Sequence, residues 1–219
     1  MPFQVFDYRK DIRNLLTTPQ MRCRFLKMEV GQYNQGHTHD LGHEFFLILQ
    51  GQAEFEIEGH KEVVGPGQIC IALTDEMHAV RNVGDDEVIM FLAVTPHIHP
   101  THTFWTEDGE KEPPRFSPNT AYDLPLDRTS STEKLADDHL KAAEQLEKTV
   151  ITTTQIQRDQ MAAFKQAIVD GNKDDALQAR DAMWDSLYTM FRDMHDLAGI
   201  WNEFTSRTAD DEQFDQNFV

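Results

Sequence analysis

The sequence has little positive charge, few cysteines and no long apolar segment. Its 219 residues carry 38 acidic against 20 basic side chains, which gives a formal net charge of −18. A chain of this charge repels nucleic-acid phosphates and anionic membranes, which argues against both as partners. No run approaches the roughly 18 apolar residues of a transmembrane helix. We therefore expect neither a nucleic-acid partner nor a membrane partner.

Cysteine is represented by Cys23 and Cys70, which are too few for a disulfide framework. Both are interpreted as small apolar core residues. The first residues, MPFQVFDYRKDIRN, carry charges where a secretory signal would need its apolar stretch. We therefore expect a reducing, cytoplasmic location.

Short segments of alternating polarity fill most of the first half of the chain. Residues 53–57 alternate apolar side chains with glutamates, and Gly59-His60 turns the chain into a second strand, which predicts a β-hairpin. On another predicted strand, residues 21–30, Arg22 and Arg24 share one face with Leu26 and Met28. Further strands are predicted over residues 45–49, 69–73, 77–82 and 88–94, and a helical turn over residues 8–16. Many short strands between glycine and proline turns are typical of an all-β barrel or sandwich.

The second half of the chain has a helical pattern. Residues 107–131 contain four prolines, which exclude a regular helix and indicate a linker or wrap. Ser130 stands three residues before Glu133, the spacing of a capping box at a helix start. A glycine at position 171 interrupts the pattern, which predicts a helical hairpin over residues 132–206, followed by an acidic tail over residues 207–219.

The second predicted helix carries an apolar stripe at three- and four-residue steps. Its members are Leu177, Trp184, Leu187, Phe191, Met194, Ala198 and Trp201. A hairpin of two helices leaves much of such a stripe uncovered unless it packs on another surface. We expect that surface to be the barrel or a second copy of the chain, and we predict a homodimer formed through these helices.

The chemistry of the chain is concentrated around His37, His39 and Glu44. Residues two apart on a strand point to the same side, so the two imidazoles form a chelating pair. Asp40-Leu41-Gly42 supplies a turn that can bring Glu44 to the same point. Two neutral imidazoles and a carboxylate suit a divalent ion such as iron, manganese, nickel, copper or zinc. His43 competes as a ligand, although its position in the alternation directs it to the opposite face.

The spacing of these residues resembles the cupin superfamily. The first cupin motif, G-x5-H-x-H-x4-E-x6-G, fits at every position on Gly31, His37, His39, Glu44 and Gly51. The second motif, G-x5-P-x-G-x2-H-x3-N, fits on Gly67, His78 and Asn82, whereas Leu73 and Asp75 replace its proline and glycine. The resemblance covers roughly residues 21–96.

This resemblance implies a mainly β fold: a cupin double-stranded β-helix, or jelly-roll barrel, within residues 1–106, ahead of the helical hairpin. It also implies that His37, His39, Glu44 and His78 hold one divalent metal ion, with iron favoured over manganese, nickel, copper or zinc. The superfamily includes quercetin-type and diketone-cleaving dioxygenases. The leading hypothesis is therefore a metal-dependent oxygenase that acts on a small organic substrate.

Two alternatives use the same site. An isomerase or lyase acting on a sugar or small organic acid would need no oxygen, and Glu44 would serve as its base after leaving the metal. A non-catalytic binding or sensing module would use the metal to orient a small-molecule ligand. Turnover separates the two enzymes from the module.

Three more histidines, His97, His99 and His102, follow the last predicted strand of the barrel in the segment TPHIHPTHTFW. They could line the barrel mouth as proton shuttles or form a second metal site. Because Pro96 and Pro100 constrain the segment to a turn, we favour imidazoles that face solvent.

Overall fold

The structure is a computed structural model that describes residues 3–125 and 129–209. These residues form two compact units: residues 3–125 together with 205–209, and residues 129–204. Most of the predicted acidic tail, from residue 210 onward, and residues 126–128 of the predicted linker lie outside the described residues.

Nine strands lie in the described part of the first unit. They are β1 (Asn14–Thr17), β2 (Arg22–Met28), β3 (Tyr33–His37), β4 (His43–Gln50), β5 (Ala53–Ile57), β6 (His60–Val64), β7 (Ile69–Ala72), β8 (His78–Asn82) and β9 (Val88–Thr95). One sheet has the order β1-β2-β9-β4-β7 and the other β3-β8-β5-β6. All neighbouring strands pair antiparallel. The predicted mainly β jelly roll is thereby confirmed.

The core lies between the two sheets. Met28, Phe46 and Met90 from the five-stranded sheet form one buried cluster with Phe55 and Val80 from the four-stranded sheet. The hydrophobic effect explains this arrangement, because each sheet buries one apolar face against the other. Cys23 is buried, and Cys70 is partly buried against the same cluster, as expected of small apolar residues.

Local sequence explains the predicted hairpin but not the first strand. Glu58 and Gly59 both have positive φ, 49° and 76°, which suits the tight turn between β5 and β6. Residues 14–17, by contrast, belong to a strand rather than to the predicted helical turn, because they pair with β2. Pairing with another strand has overridden the local preference there.

Two long helices make up the predicted hairpin, which is confirmed: α1 spans Thr132–Val169 and α2 spans Lys173–Thr208. The residue that caps α1 is Ser131 rather than Ser130, since the side chain of Ser131 accepts a hydrogen bond from the backbone N–H of Lys134 at 3.1 Å. Gly171 takes φ 67° in the turn between the helices. Within the described residues, no helix is both long and apolar enough to cross a membrane.

The seam between α1 and α2 is made of small and polar side chains. Thr149 donates a hydrogen bond to Asp193 at 2.5 Å, and Thr153 donates one to the backbone carbonyl of Ser186 at 3.1 Å. Two aromatic residues of the predicted stripe are exposed instead: Trp184 is 56% exposed and Phe191 51%, whereas Trp201 is partly buried. The hairpin therefore leaves Trp184 and Phe191 uncovered.

Candidate metal centre

The fold brings four of the predicted residues together in the barrel interior. His37 ends β3 and pairs with His78, which begins β8. His39 follows two residues after His37, and Glu44 lies on β4 in the opposite sheet. One side-chain ligand atom from each residue lies within 4.8 Å of the others, and His39, Glu44 and His78 are buried. The sequence motif therefore corresponds to one compact cluster in space.

The three imidazoles share one hydrogen-bonding pattern. Nδ1 of His37 lies 2.9 Å from the carbonyl oxygen of Gln35, and Nδ1 of His78 lies 2.9 Å from that of Glu76. Nδ1 of His39 contacts the carbonyl oxygen of Thr101. A carbonyl oxygen only accepts, so each Nδ1 carries the proton, and a neutral ring then has a lone pair on Nε2. The backbone thus orients three Nε2 lone pairs toward the interior.

These Nε2 atoms converge on the Glu44 carboxylate. Glu44 Oε2 lies 2.9 Å from His39 Nε2, 3.0 Å from His78 Nε2 and 3.8 Å from His37 Nε2. Within residues 3–125 and 129–209, His37 Nε2 is buried without a hydrogen-bond partner. Burial raises the pKa of Glu44, but in the metal-free protein, where a shared proton takes the place of an ion, hydrogen bonds and positive charge from the imidazoles lower it by more, so the pKa lies well below its usual range. The carboxylate is therefore charged at neutral pH.

A group of acceptors this close together needs a positive charge among them, supplied either by a proton or by a metal ion. The separations of 2.9 and 3.0 Å between Glu44 and two imidazoles are hydrogen-bond distances, in which a shared proton takes the place of the ion. The donor set, three imidazole nitrogens and a carboxylate, therefore fits a divalent cation.

A cavity of about 210 Å³ borders this cluster inside the barrel. Its polar lining consists of Arg22, Arg24, Asn34, His37, Glu44, His78 and His102, and its apolar lining of Leu26, Phe46, Ala79, Val80 and Leu92. Three residues of the cluster, His37, Glu44 and His78, thus face space that a small molecule can occupy.

The histidines after β9 do not face solvent, so that prediction is wrong. His97 is fully buried, and His99 is 4% exposed. The segment folds back over the barrel because Thr38 and Thr103 form an isolated β-bridge, while the Thr101 carbonyl contacts His39. The buried imidazoles therefore belong to the barrel wall.

His97 and His99 contact each other. Their Nε2 atoms are 3.3 Å apart, and His99 stacks on the ring of Tyr122 at 4.9 Å. Burial, together with His99 and the Arg22 guanidinium, lowers the pKa of His97 to about 3. His97 is therefore neutral at any ordinary pH.

His102 lies beside the cluster, and the sequence motifs gave no signal that singled it out from His97 and His99. Its ring centroid is 4.8 Å from that of His37 and 4.9 Å from that of His39. It also lines a second cavity of about 330 Å³, together with His39. Burial, His37 and His39 hold the pKa of His102 well below its usual range, so its imidazole is neutral.

His43, the competing ligand, faces away from the cluster, as its place in the alternation predicted. It is exposed, and its Nδ1 accepts a hydrogen bond from the backbone N–H of Thr74 at 2.9 Å. Its neighbour Glu44 is 3% exposed on the interior face. The alternation of β4 thus separates the two residues.

The strands and the cluster lie in a segment that matches a known family of domains. Residues 24–95 match the family described as Cupin domain, a segment that runs from within β2 to the end of β9 and includes all four residues of the cluster. This segment is therefore a cupin domain, as its motifs indicated.

One relative and two solved structures show the extent of the similarity. The chain is 29% identical over 91 residues to polyketide synthase CurC of Streptomyces cyaneus, covering 39% of this chain and 59% of the relative. A protein with a double-stranded β-helix domain from Klebsiella pneumoniae is 22% identical with a TM-score of 0.41, covering 43% of this chain and 91% of that one. KdgF from Halomonas sp. is 25% identical with a TM-score of 0.36, covering 39% and 76%. The chain thus spans about three fifths of the curated relative.

Proposed function

We propose that the protein is a metal-dependent cupin enzyme in which His37, His39, Glu44 and His78 hold one divalent ion. The observation that carries this proposal is the convergence of three Nε2 lone pairs on one buried carboxylate, with no proton donor among the described residues to satisfy His37 Nε2. A bound ion would supply Lewis acidity and open coordination positions for an organic substrate or for dioxygen. Iron is our first choice, with manganese, nickel, copper and zinc as alternatives.

The cavity beside the cluster supports a small substrate. Its volume of about 210 Å³ is below the roughly 300–1,000 Å³ of pockets for drug-sized ligands. One wall is apolar and includes Phe46, Val80 and Leu92, which offer no group that could donate or accept a proton. Such a wall excludes water and tolerates the apolar dioxygen molecule, which favours an oxygenase as the leading activity.

His102 favours a second candidate, an isomerase or lyase of a small organic acid or sugar. It lines the same cavity, and its imidazole is neutral, so it can accept a proton from a substrate carbon without first losing one. Glu44 is the other candidate base, but as one of the proposed ligands it would first have to leave the metal ion. In an isomerase or lyase, His102 would carry the proton that is removed from the substrate carbon.

Metal analysis of the purified protein tests the bound divalent ion, which both candidate activities require. We expect one ion per chain in the wild type and loss of that ion in the His78→Ala variant. His60→Ala is the matched control, since His60 is an exposed histidine of the same sheet, at the start of β6. Equal metal content in the His78→Ala and His60→Ala variants would overturn the proposed site.

Substrate panels then separate the two activities. An oxygenase consumes oxygen with at least one member of a panel of diketones, flavonols, aromatic diols and small carboxylic acids when the protein is metal-loaded. An isomerase or lyase instead exchanges a carbon-bound proton of its substrate in deuterated water, and the exchange disappears in the His102→Ala variant. Oxygen uptake with no member of the panel would refute the oxygenase.

A further inference from the structure

Two arginines lie in the barrel interior beside the candidate metal centre. Arg22, Arg24 and Leu26 occupy alternate positions on β2, and all three line the cavity of about 210 Å³ that also contains Glu44. Arg22 is 6% exposed. Arginine is among the residues that are rarely buried without a partner for their charge. Two guanidinium groups in one small cavity therefore need an explanation.

Arg22 is held in place by a chain of hydrogen bonds. Its Nε donates to Asn14 Oδ1 at 2.7 Å, and Asn14 Nδ2 donates to Asp123 Oδ2 at 2.8 Å. The carboxylate of Asp123 also accepts from the Asn14 backbone N–H at 2.7 Å. The Tyr122 ring lies 5.1 Å from the guanidinium. Asn14 thus turns its amide oxygen toward Arg22 and fixes the orientation of the guanidinium group.

The hydrogen bond to Asn14 involves only the Nε atom of the Arg22 guanidinium group. Nε makes the hydrogen bond to Asn14, which is the one side-chain hydrogen bond that Arg22 donates to the described residues. A guanidinium has five N–H donors, so the terminal nitrogens remain available on the cavity side. An arginine fixed in this way is arranged to bind a further acceptor.

The Nε atom of Arg24 differs from that of Arg22 in its hydrogen bonding. Its Nε is buried, and no group among the described residues accepts a hydrogen bond from it. Burial lowers the pKa of Arg24, while Asp123 and Glu44 act in the opposite direction. Because arginine stays protonated in proteins, its positive charge remains in the cavity wall. A buried donor of this kind is satisfied when an acceptor enters.

The charges of the lining favour an anion. Among the described residues, the lining holds two guanidinium groups and the single carboxylate of Glu44, an excess of one positive charge. A divalent ion held by the cluster would add two more. Asp123 lies outside this lining and is hydrogen-bonded to Asn14, but its charge also acts on both guanidinium groups. With Asp123 included, the charges of the two arginines are balanced, and a neutral ligand would leave the charge of a bound divalent ion unpaired.

We propose that Arg22 and Arg24 bind a carboxylate of the substrate, so that the protein acts on a small organic acid. The planar guanidinium fork matches the two oxygens of a carboxylate, and the cavity of about 210 Å³ limits the acid to a few carbon atoms. The proposal rests on the proposed function in one respect: the rest of the bound acid lies next to the metal-binding cluster. Neutral flavonols and free sugars are then excluded as substrates.

The experiment measures malonate binding to the full-length protein by calorimetry, both metal-loaded and after treatment with a chelator. Malonamide is the neutral analogue, and inorganic phosphate represents the other common oxyanion. The variants are Arg24→Met and Arg22→Met, with Arg81→Met as control, since Arg81 is exposed on β8 and packs over Tyr33. Arg24→Met removes no hydrogen bond of Nε within the described residues, so it remains informative if Arg22→Met does not fold.

We expect wild-type protein and the Arg81→Met variant to bind malonate, and malonamide to bind at least about tenfold more weakly. Arg24→Met should weaken malonate binding about tenfold or more without lowering metal content. Equal malonate affinity in the Arg24→Met and Arg81→Met variants overturns the proposal, and so does equal affinity for malonamide. Tighter binding of phosphate than of malonate overturns the assignment to carboxylic acids.

The chelator-treated arm separates this proposal from the proposed function. If the purified protein holds no metal but malonate still binds in a manner that depends on Arg24, the metal-dependent function fails and the anion site stands. If metal is bound but malonate binding does not depend on Arg24, the anion site fails and the metal centre stands.

Discussion

Replacing Glu44 by glutamine tests how the cluster works, because the change keeps the shape of the side chain and removes its charge. Glu44 Oε2 lies 2.9 Å from His39 Nε2 and 3.0 Å from His78 Nε2, and the residue is 3% exposed. The amide cannot ionise and is a poor ligand for a divalent ion. The variant should therefore differ from the wild type both with and without metal.

Without metal, the difference in the free energy of unfolding between the wild type and the Glu44→Gln variant depends on pH. The folded-state pKa of Glu44 is lowered well below the value of about 4.5 expected in the unfolded chain. Its ionised form therefore stabilises the fold above pH 4.5, and this contribution is lost as the pH falls through the folded-state pKa. We expect the Glu44→Gln variant to be less stable than the wild type by about 1–3 kcal/mol at pH 7. The difference should shrink toward zero in acid.

Adding metal should widen the difference at pH 7. A ligand present at a hundred times its Kd stabilises the folded state by about 2.7 kcal/mol. For a protein of this length, 1 kcal/mol corresponds to about 2–4 °C in Tm, so the wild type should gain about 5–11 °C. The Glu44→Gln variant should gain clearly less, because three imidazoles remain but the set of ligands has lost its only negative charge.

Thermal denaturation followed by circular dichroism, with chelator or with added iron, manganese, nickel, copper or zinc, measures both effects. Glu62→Gln is the control, since Glu62 is an exposed glutamate on β6. An equal gain in Tm for the Glu44→Gln and Glu62→Gln variants would refute Glu44 as a ligand. A metal-free difference that persists unchanged to pH 3 would refute the role of its ionisation.

Three other predictions concern the supports of the site and the helical hairpin. Asn14→Ala leaves Arg22 Nε buried without its acceptor and should lower the free energy of unfolding by about 1–3 kcal/mol in urea denaturation, with malonate binding weakened as well. Ser131→Ala removes the cap of α1 and should cost about 1 kcal/mol in the same assay, whereas Ser131→Asp, which keeps a capping oxygen, should cost little. We also propose that the exposed aromatic residues of α2 pair with a second copy of the chain. Light scattering should give a dimer for the wild type and a monomer for a variant with Trp184→Gln and Phe191→Gln, and an unchanged mass would contradict this pairing.

The cluster of His37, His39, Glu44 and His78 was largely predictable because most of it is local. His37 and His39 are two residues apart, and Glu44 follows after a short turn, so strand alternation alone relates them. His78 required the resemblance to a known motif, since its place opposite His37 depends on the pairing of β3 with β8. The β5–β6 hairpin and the two helices were predictable for the same reason: turn residues and periodicity are properties of neighbouring residues.

The sequence could not determine the contacts between segments that are distant along the chain. The strand at Asn14–Thr17 exists because it pairs with β2, and the histidines after β9 are buried because their segment returns over the barrel. Alternation placed Arg22 and Arg24 on one face of β2 but could not say that this face is the interior beside Glu44. Periodicity states which side chains share a face, whereas only the closing of the two sheets decides which face encloses the cavity. The sequence by itself thus determined the candidate ligands, and the tertiary structure decided which charges surround them.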